Sequence, residues 1–239
     1  MKIYGKNPVF ERIKSNPKSI KKIYMQYAHE DAGYVLKKAK KWGIPVYQVP
    51  KSKLQKLSRS INAQGIVMEV EGFEYCAWAD LLQVAKKKKL SLLFLDGLND
   101  PQNLGAIIRS LACLGGFALV LPTHNSVDVT ETVVRVACGG DNYVKIAKVS
   151  NLSQAIAKAK QEGFWIAGSI VKGGQDIYQA KLPFPLAFVV GSEQKGIRES
   201  IRKQLDVAVT IPMAQARLSM NAAHATALLC YEANKQKQK

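Results

Sequence analysis

The sequence predicts an α/β protein in which a small α/β domain precedes a C-terminal domain built on a parallel sheet. Three observations predict it. From residue 90 onward continuously apolar runs recur, and runs apolar on both faces belong to parallel strands buried under helices. Segments with helical periodicity lie between several of these runs, the alternation expected of βαβ units. Residues 1 to about 72 have another texture, short alternating elements under a dense scatter of lysines.

In chain order, "SIKKIYMQYA", "GIPVYQVP" and "QGIVMEVEG" read as strands around the helical "AGYVLKKAKKWG", and together they define a domain over residues 1–74. Residues 75–88 read as a linker. Its amphipathic stretch ends in the four-lysine run Lys86 to Lys89, which suits a solvated hinge and could also track phosphates. The second domain, 89–239, begins with the strand "LSLLFLDGL". The helix "NLGAIIRSLACLGG" follows, with Leu104, Ile107, Ile108, Leu111 and Ala112 on one face, Asn103 able to cap its start and Gly115 its end. "FALVLP" is the next strand, and "NLSQAIAKAKQEG" repeats the helix logic before "FWIAGSI". "LAFVVG" and "VAVTIPM" complete the strands, and "NAAHATALLCYEANKQ" makes a final Ala-rich helix with a basic tail. No internal repeat is visible.

Composition bounds the function. With 47% hydrophobic and 22% charged residues in 239, the chain is a folded protein of one or two compact units, and two fits the change of texture. Thirty-five Lys and Arg against 18 Asp and Glu give a formal charge of +17, which points to a polyanionic partner, nucleic acid first. The four cysteines, Cys76, Cys113, Cys138 and Cys230, form no C-x-x-C pair, so neither a zinc site nor a disulfide framework is expected. A cytoplasmic location is expected, because the N-terminus lacks an apolar signal core and no run of roughly eighteen apolar residues could span a bilayer. His29, His124 and His224 show no ligand spacing, and no metal is implied.

Functional loops of such sheets lie beyond the carboxyl ends of the strands. Three of these turns are unusually polar: "NDPQNLGAIIRS" after the first strand, "SEQKGIRES" after "LAFVVG", and "AQARLSMNAAHA" after "VAVTIPM". A G-x-G-x-x-G dinucleotide fingerprint and a G-x-x-x-x-G-K-[ST] phosphate loop are both missing, which excludes the usual dinucleotide and nucleoside-triphosphate sites.

"DPQNLGAIIRS", "GSEQKGI" and "IPMAQARLSMNAA" resemble, in order, the three signature motifs of the SpoU (TrmH) RNA 2'-O-ribose methyltransferases of the SPOUT superfamily. "YGKNPVFERIKSN" and "AQGIVMEV" resemble the small RNA-binding domain that precedes them in one branch, so the likeness spans nearly the whole chain. It implies a ribosomal-protein-L30e-like first domain and a C-terminal sheet tied in a deep trefoil knot, against the usual topological rule. It also implies S-adenosylmethionine as methyl donor, an obligate homodimer that completes each site, and a guanosine ribose in 23S ribosomal RNA as target. Transfer RNA is the second substrate the resemblance allows.

The resemblance assigns roles residue by residue. Arg109 would be the catalytic arginine; because a guanidinium ordinarily stays protonated, positioning a phosphate is the alternative role. Asn103 would orient Arg109 or the RNA, alongside its capping role. Glu193 would bond a ribose hydroxyl or pair with Arg109. Ser219 and Asn221 would belong to the active site, although both residue types also cap helices. Gly191 would let the donor approach the backbone, as turn geometry alone could also require. Ile211 and Met220 would bind the adenine through backbone or lining. Met220 stands where most relatives carry leucine, and "AQARL" where they are often rich in Gly and Ser. A different class also accommodates the charge: a basic ribosome-associated binding protein whose methyltransferase fold has lost activity. A donor titration separates the two.

Overall fold

The computed structural model describes residues 1–61, 63–215 and 219–238. The N-terminal part runs β1 (Lys2–Tyr4), α1 (Lys6–Ser15), β2 (Ile20–Gln26), α2 (Ala32–Trp42), β3 (Val46–Val49), α3 (Lys51–Ser58) and β4 (Ile66–Val70). Its four-stranded sheet has the order β1-β4-β2-β3, with β4 antiparallel to both neighbours and β2 parallel to β3. The three strands and one helix expected from sequence are present. β1, α1 and α3 are additional, each too short or too polar to show a full apolar period.

The C-terminal part runs α4 (Trp78–Lys87), β5 (Ser91–Asp96), α5 (Pro101–Leu114), β6 (Phe117–Pro122), α6 (Glu131–Ala137), β7 (Lys145–Val149), α7 (Leu152–Gln161), β8 (Trp165–Ser169), β9 (Gln175–Asp176), β10 (Leu186–Gly191), α8 (Glu199–Arg202), β11 (Val207–Thr210) and α9 (Ala222–Lys237). Seven strands form one sheet in the order β7-β6-β5-β10-β8-β11-β9, parallel at every pairing. The continuous apolar runs have the predicted cause. Along β5, Leu92 and Phe94 enter one buried layer with α4 and α7, while Leu93 and Leu95 enter the other with α5, α6 and α9.

The stretch read as a linker is not a hinge. Leu81, Leu82 and Ala85 of α4 are buried against the sheet, so residues 78–87 are a covering helix of the second domain. Lys86 of the lysine run pairs with Glu162 at 2.5 Å instead of reaching out to a phosphate. The two parts share an apolar layer in which Ile3, Val9 and Ile13 join Val133 and Val134 of α6. Polar contacts reinforce it: Lys2 N–H donates to Glu131 Oε1 at 2.6 Å, Arg135 to the Tyr4 hydroxyl at 2.5 Å, and the Arg12 guanidinium to buried Asp141.

The helix α5 begins three residues earlier than its sequence suggests. Asp100 is its N-cap, accepting from Gln102 N–H at 2.8 Å, and Pro101 fills the first helical position, where a missing N–H costs nothing. Asn103 therefore lies inside the first turn, and its side chain is released from capping. Gly115 closes the helix at φ +67°, as expected. Strand order reverses about β5: β6 and β7 build outward on one side, while β10 and β8 lie on the other. The crevice beyond the carboxyl ends of β5 and β10 is thus the switch point where such sheets bind ligands.

Candidate active site

Gly191 ends β10 beside Asp96, which ends β5, so the loops that follow both strands leave the sheet at the same place. Asp96 is almost fully buried among apolar neighbours and accepts two hydrogen bonds, from Arg198 N–H at 2.8 Å and Arg198 Nε at 2.7 Å. These bonds tie the far end of the 192–198 loop to β5. Sequence reasoning missed this pair, although a single aspartate in an otherwise apolar strand is the kind of signal that could have found it.

Within that loop Glu193 is the hub. Its Oε1 accepts from Asn103 Nδ2 at 3.0 Å, from Asn221 Nδ2 at 3.0 Å and from the Ala222 backbone N–H at 3.1 Å. Asn221 Nδ2 also donates to Asn103 Oδ1 at 2.8 Å, and Asn221 Oδ1 caps α9 by accepting from Ala223 N–H at 2.9 Å. One residue from each polar turn thus meets at a single carboxylate. The negative charge sits at the N-terminus of α9, where the helix dipole favours it. All the contacts fall on Oε1, and Oε2 accepts no hydrogen bond among the described residues.

A cavity of about 330 Å³ opens beside this hub, walled by the loops after β8, β10 and β11. Val190, Ile211, Met213, Met220, Ala222 and Ala225 supply an apolar wall, and Ser169, Ser192, Glu193 and Ser219 a polar rim. Size and lining suit a small organic ligand with a few oriented polar groups. Ile211, Met220, Ser219 and Gly191 therefore all face one space. Residues 216–218 of the third polar turn lie outside the described residues.

For two residues the structure favours one of the readings the sequence left open. A Cβ on Gly191 would come within 2.1 Å of Gly196 C and 2.3 Å of Ile197 N, so the glycine is required by the loop folding back on its own strand. The close approach that excludes a Cβ is internal, the turn-geometry reading, while Gly191 also lines the cavity. Within one chain Arg109 does not pair with Glu193. Six residues beyond Asn103 it is rotated about 240° round the helix axis. Its Nη1 contacts Cys138 Sγ at 3.6 Å, and it lines a separate groove with Phe10 and Tyr143. Among the described residues no cluster of three His, Cys, Asp or Glu could hold a metal, and no helix is long and apolar enough to cross a membrane.

Comparison with known proteins follows the same division of the chain. The model of the SpoU rRNA Methylase family matches residues 91–231, and that for RNA 2'-O ribose methyltransferase substrate binding matches residues 2–76. The 23S rRNA (guanosine-2'-O-)-methyltransferase RlmB of Neisseria meningitidis is 34% identical over 238 residues, 98% of this chain and 95% of that protein. An AdoMet-bound rRNA methyltransferase from Sinorhizobium meliloti superposes with a TM-score of 0.82 at 21% identity, covering 98% of this chain and 86% of the other. The SpoU methyltransferase AviRb of Streptomyces viridochromogenes, in complex with AdoMet, gives a TM-score of 0.80 at 20% identity, covering 100% and 90%. At these identities the two structural likenesses bear on the fold.

Proposed function

Because the chain belongs to the SpoU rRNA Methylase family, we propose that it methylates a ribose 2'-hydroxyl of a guanosine in 23S ribosomal RNA, using S-adenosylmethionine as donor. The observation that carries the proposal is the meeting of Asn103 and Asn221 at the Glu193 carboxylate, a group on the polar rim of an apolar cavity. The full-length likeness to the RlmB methyltransferase supports the substrate, and so does the charge of residues 1–76, which hold fifteen Lys and Arg against six Asp and Glu.

The cavity residues fit the donor. Ile211 and Met220 offer an apolar slot for an adenine, and Ser169, Ser192 and Ser219 offer polar contacts for the rest of the molecule. Bound there, S-adenosylmethionine supplies a methyl group activated by its sulfonium centre. The protein's own work is alignment and proton handling. Asn103 and Asn221 hold the Glu193 carboxylate by Oε1, which leaves Oε2 to accept the ribose 2'-hydroxyl and fix its oxygen on the donor side. Transfer to the hydroxyl oxygen would require its proton to leave, and Glu193 Oε2, which accepts no hydrogen bond among the described residues, would be the atom to accept it.

The proposal includes a homodimer, the trefoil knot of the C-terminal sheet and action in the cytoplasm on rRNA. Arg109 faces away from its own Glu193, which supports a role for it in the site of a second copy. Leu228 and Tyr231, 44% and 61% exposed on α9, offer apolar surface for that contact. The test is methyl transfer from labelled donor to unmodified 23S rRNA, with the modified nucleotide mapped. Arg109→Ala is expected to abolish transfer while donor affinity survives. Mixing Arg109→Ala with Glu193→Ala chains should then restore part of the activity, since some dimers carry one intact composite site. Donor affinity falling as far as turnover would refute this division of labour. Transfer to tRNA alone would redirect the substrate assignment.

A further inference from the structure

A second cavity, of about 480 Å³, lies on the other side of the Glu193 loop. The two cavities share the wall Ser192–Gly196, and Asn103 lines only the second. Its other walls come from the loops after β5 and β6, and its character is polar: Asn99, His124, Asn125 and Lys195 open into it around a floor of Leu98 and Pro122. The side chains of Asn99, His124 and Asn125 make no hydrogen bond to the protein among the described residues. Asn125 is held in the left-handed region at φ +55°, a conformation that a β-branched or bulky residue would resist. Three unengaged side chains able to donate and accept, gathered in one concavity, suit a ligand with a hydrogen-bonding edge.

We propose that this cavity receives the target nucleotide and that Asn99, His124 and Asn125 read its base. The assignment rests on the proposed reaction. A ribose bonded to Glu193, which lines both cavities, would meet a methyl group held in the first. A base attached to that ribose and unstacked from its strand would then enter the second cavity. Lys195, at its rim, carries charge for the flanking phosphate. A guanine edge offers donors at N1 and N2 and an acceptor at O6, which amide and imidazole groups can pair.

The test uses the full chain, S-adenosylmethionine with a labelled methyl group, and transcribed, unmodified 23S rRNA. Asn99→Ala, His124→Ala and Asn125→Gly, the last chosen to keep the left-handed backbone, are measured for donor Kd, and for kcat and KM with RNA. Expected is an unchanged donor Kd with kcat/KM for RNA lowered about 10- to 100-fold, the scale of losing one base-edge contact. Discrimination against RNA carrying adenosine at the mapped position should narrow. As a measurement independent of any variant, 6-thioguanosine at that position should crosslink to the 123–126 loop. Wild-type kcat/KM and discrimination in all three variants, or a crosslink elsewhere, would overturn the base-reading assignment alone. A wild-type chain that methylates no RNA would instead overturn the reaction, and this assignment with it.

Discussion

Glu193 Oε1 accepts a hydrogen bond from Asn103 Nδ2 at 3.0 Å, joining the first turn of α5 to a loop that lies 90 residues on in the chain. Neither residue is doing what its local context suggests. Asn103 is not the cap of its helix, because Asp100 takes that position, and Glu193 serves the N-terminus of α9, a helix that starts 29 residues later. Both side chains are committed to tertiary contacts, and the carboxylate is oriented before any ligand arrives.

This commitment makes Glu193→Gln and Glu193→Ala different experiments. The glutamine keeps an acceptor oxygen for Asn103, Asn221 and Ala222, so its unfolding midpoint should stay close to wild type while methyl transfer falls by about 10²-fold or more, the range of a lost acid–base group. The alanine leaves those donors unpaired and should also cost about 1–3 kcal/mol of stability. Equal transfer rates for glutamine and wild type would remove the carboxylate from the reaction. Turnover and urea denaturation separate the two effects.

Gly191→Ala tests the fold of the 192–198 loop. With Gly196 C at 2.1 Å from the added Cβ, backbone must move, at a cost of about 1–3 kcal/mol or more. Since that loop walls both cavities, donor affinity should weaken in parallel with the loss in thermal midpoint. A stable variant with normal donor binding would show that the loop can open there without consequence.

The Arg12–Asp141 contact joins α1 to the turn after α6, with both side chains buried. Burial pushes the Asp141 carboxyl above its ordinary range, and the attraction of Arg12 works against it. Asp141→Leu alone would strand a buried guanidinium and is expected to cost roughly 3–5 kcal/mol. Arg12 Nε and Asp141 Oδ1 have no partner among the described residues, so the pair is incompletely satisfied. The double change Arg12→Met, Asp141→Leu should recover most of the loss. A double variant as unstable as the single one would mean that the ion pair itself stabilises the junction.

A contact between the connecting segment and the loop after β6 carries a pH dependence. Hydrogen bonding to the Lys148 ammonium, and then to the Tyr75 hydroxyl at 3.1 Å, holds the Asp128 carboxyl below its ordinary pKa, while burial pushes the Tyr75 hydroxyl up to about 12. A lowered carboxylate pKa contributes stability that is full above the ordinary value and disappears as pH falls through the lowered one. Asp128 is 61% exposed, so the contribution is small, below about 1 kcal/mol. Urea midpoints measured from about pH 5 down to about pH 2 should fall less steeply for Asp128→Asn than for wild type. Identical slopes would assign the acid sensitivity to other carboxylates.

By itself the sequence determined the class of this protein. Residues such as Leu92 to Leu95, apolar at every position, need an element buried on both faces, here a strand covered by two layers, and the Lys and Arg excess needs no fold to be felt by a polyanion. The polar turns were equally visible, because side chains like those of Asn103, Glu193 and Asn221 are unexpected beyond buried strands. Only the tertiary structure decided what these residues do. Capping, pairing and exposure depend on which loops the strand order brings together: helix pitch alone puts Asn103 and Arg109 on different faces, but does not say which face meets Glu193 and which meets Cys138. The linker failed for the same reason: an amphipathic helix ending in lysines reads as a hinge until the apolar face of a sheet is present to bury Leu81, Leu82 and Ala85.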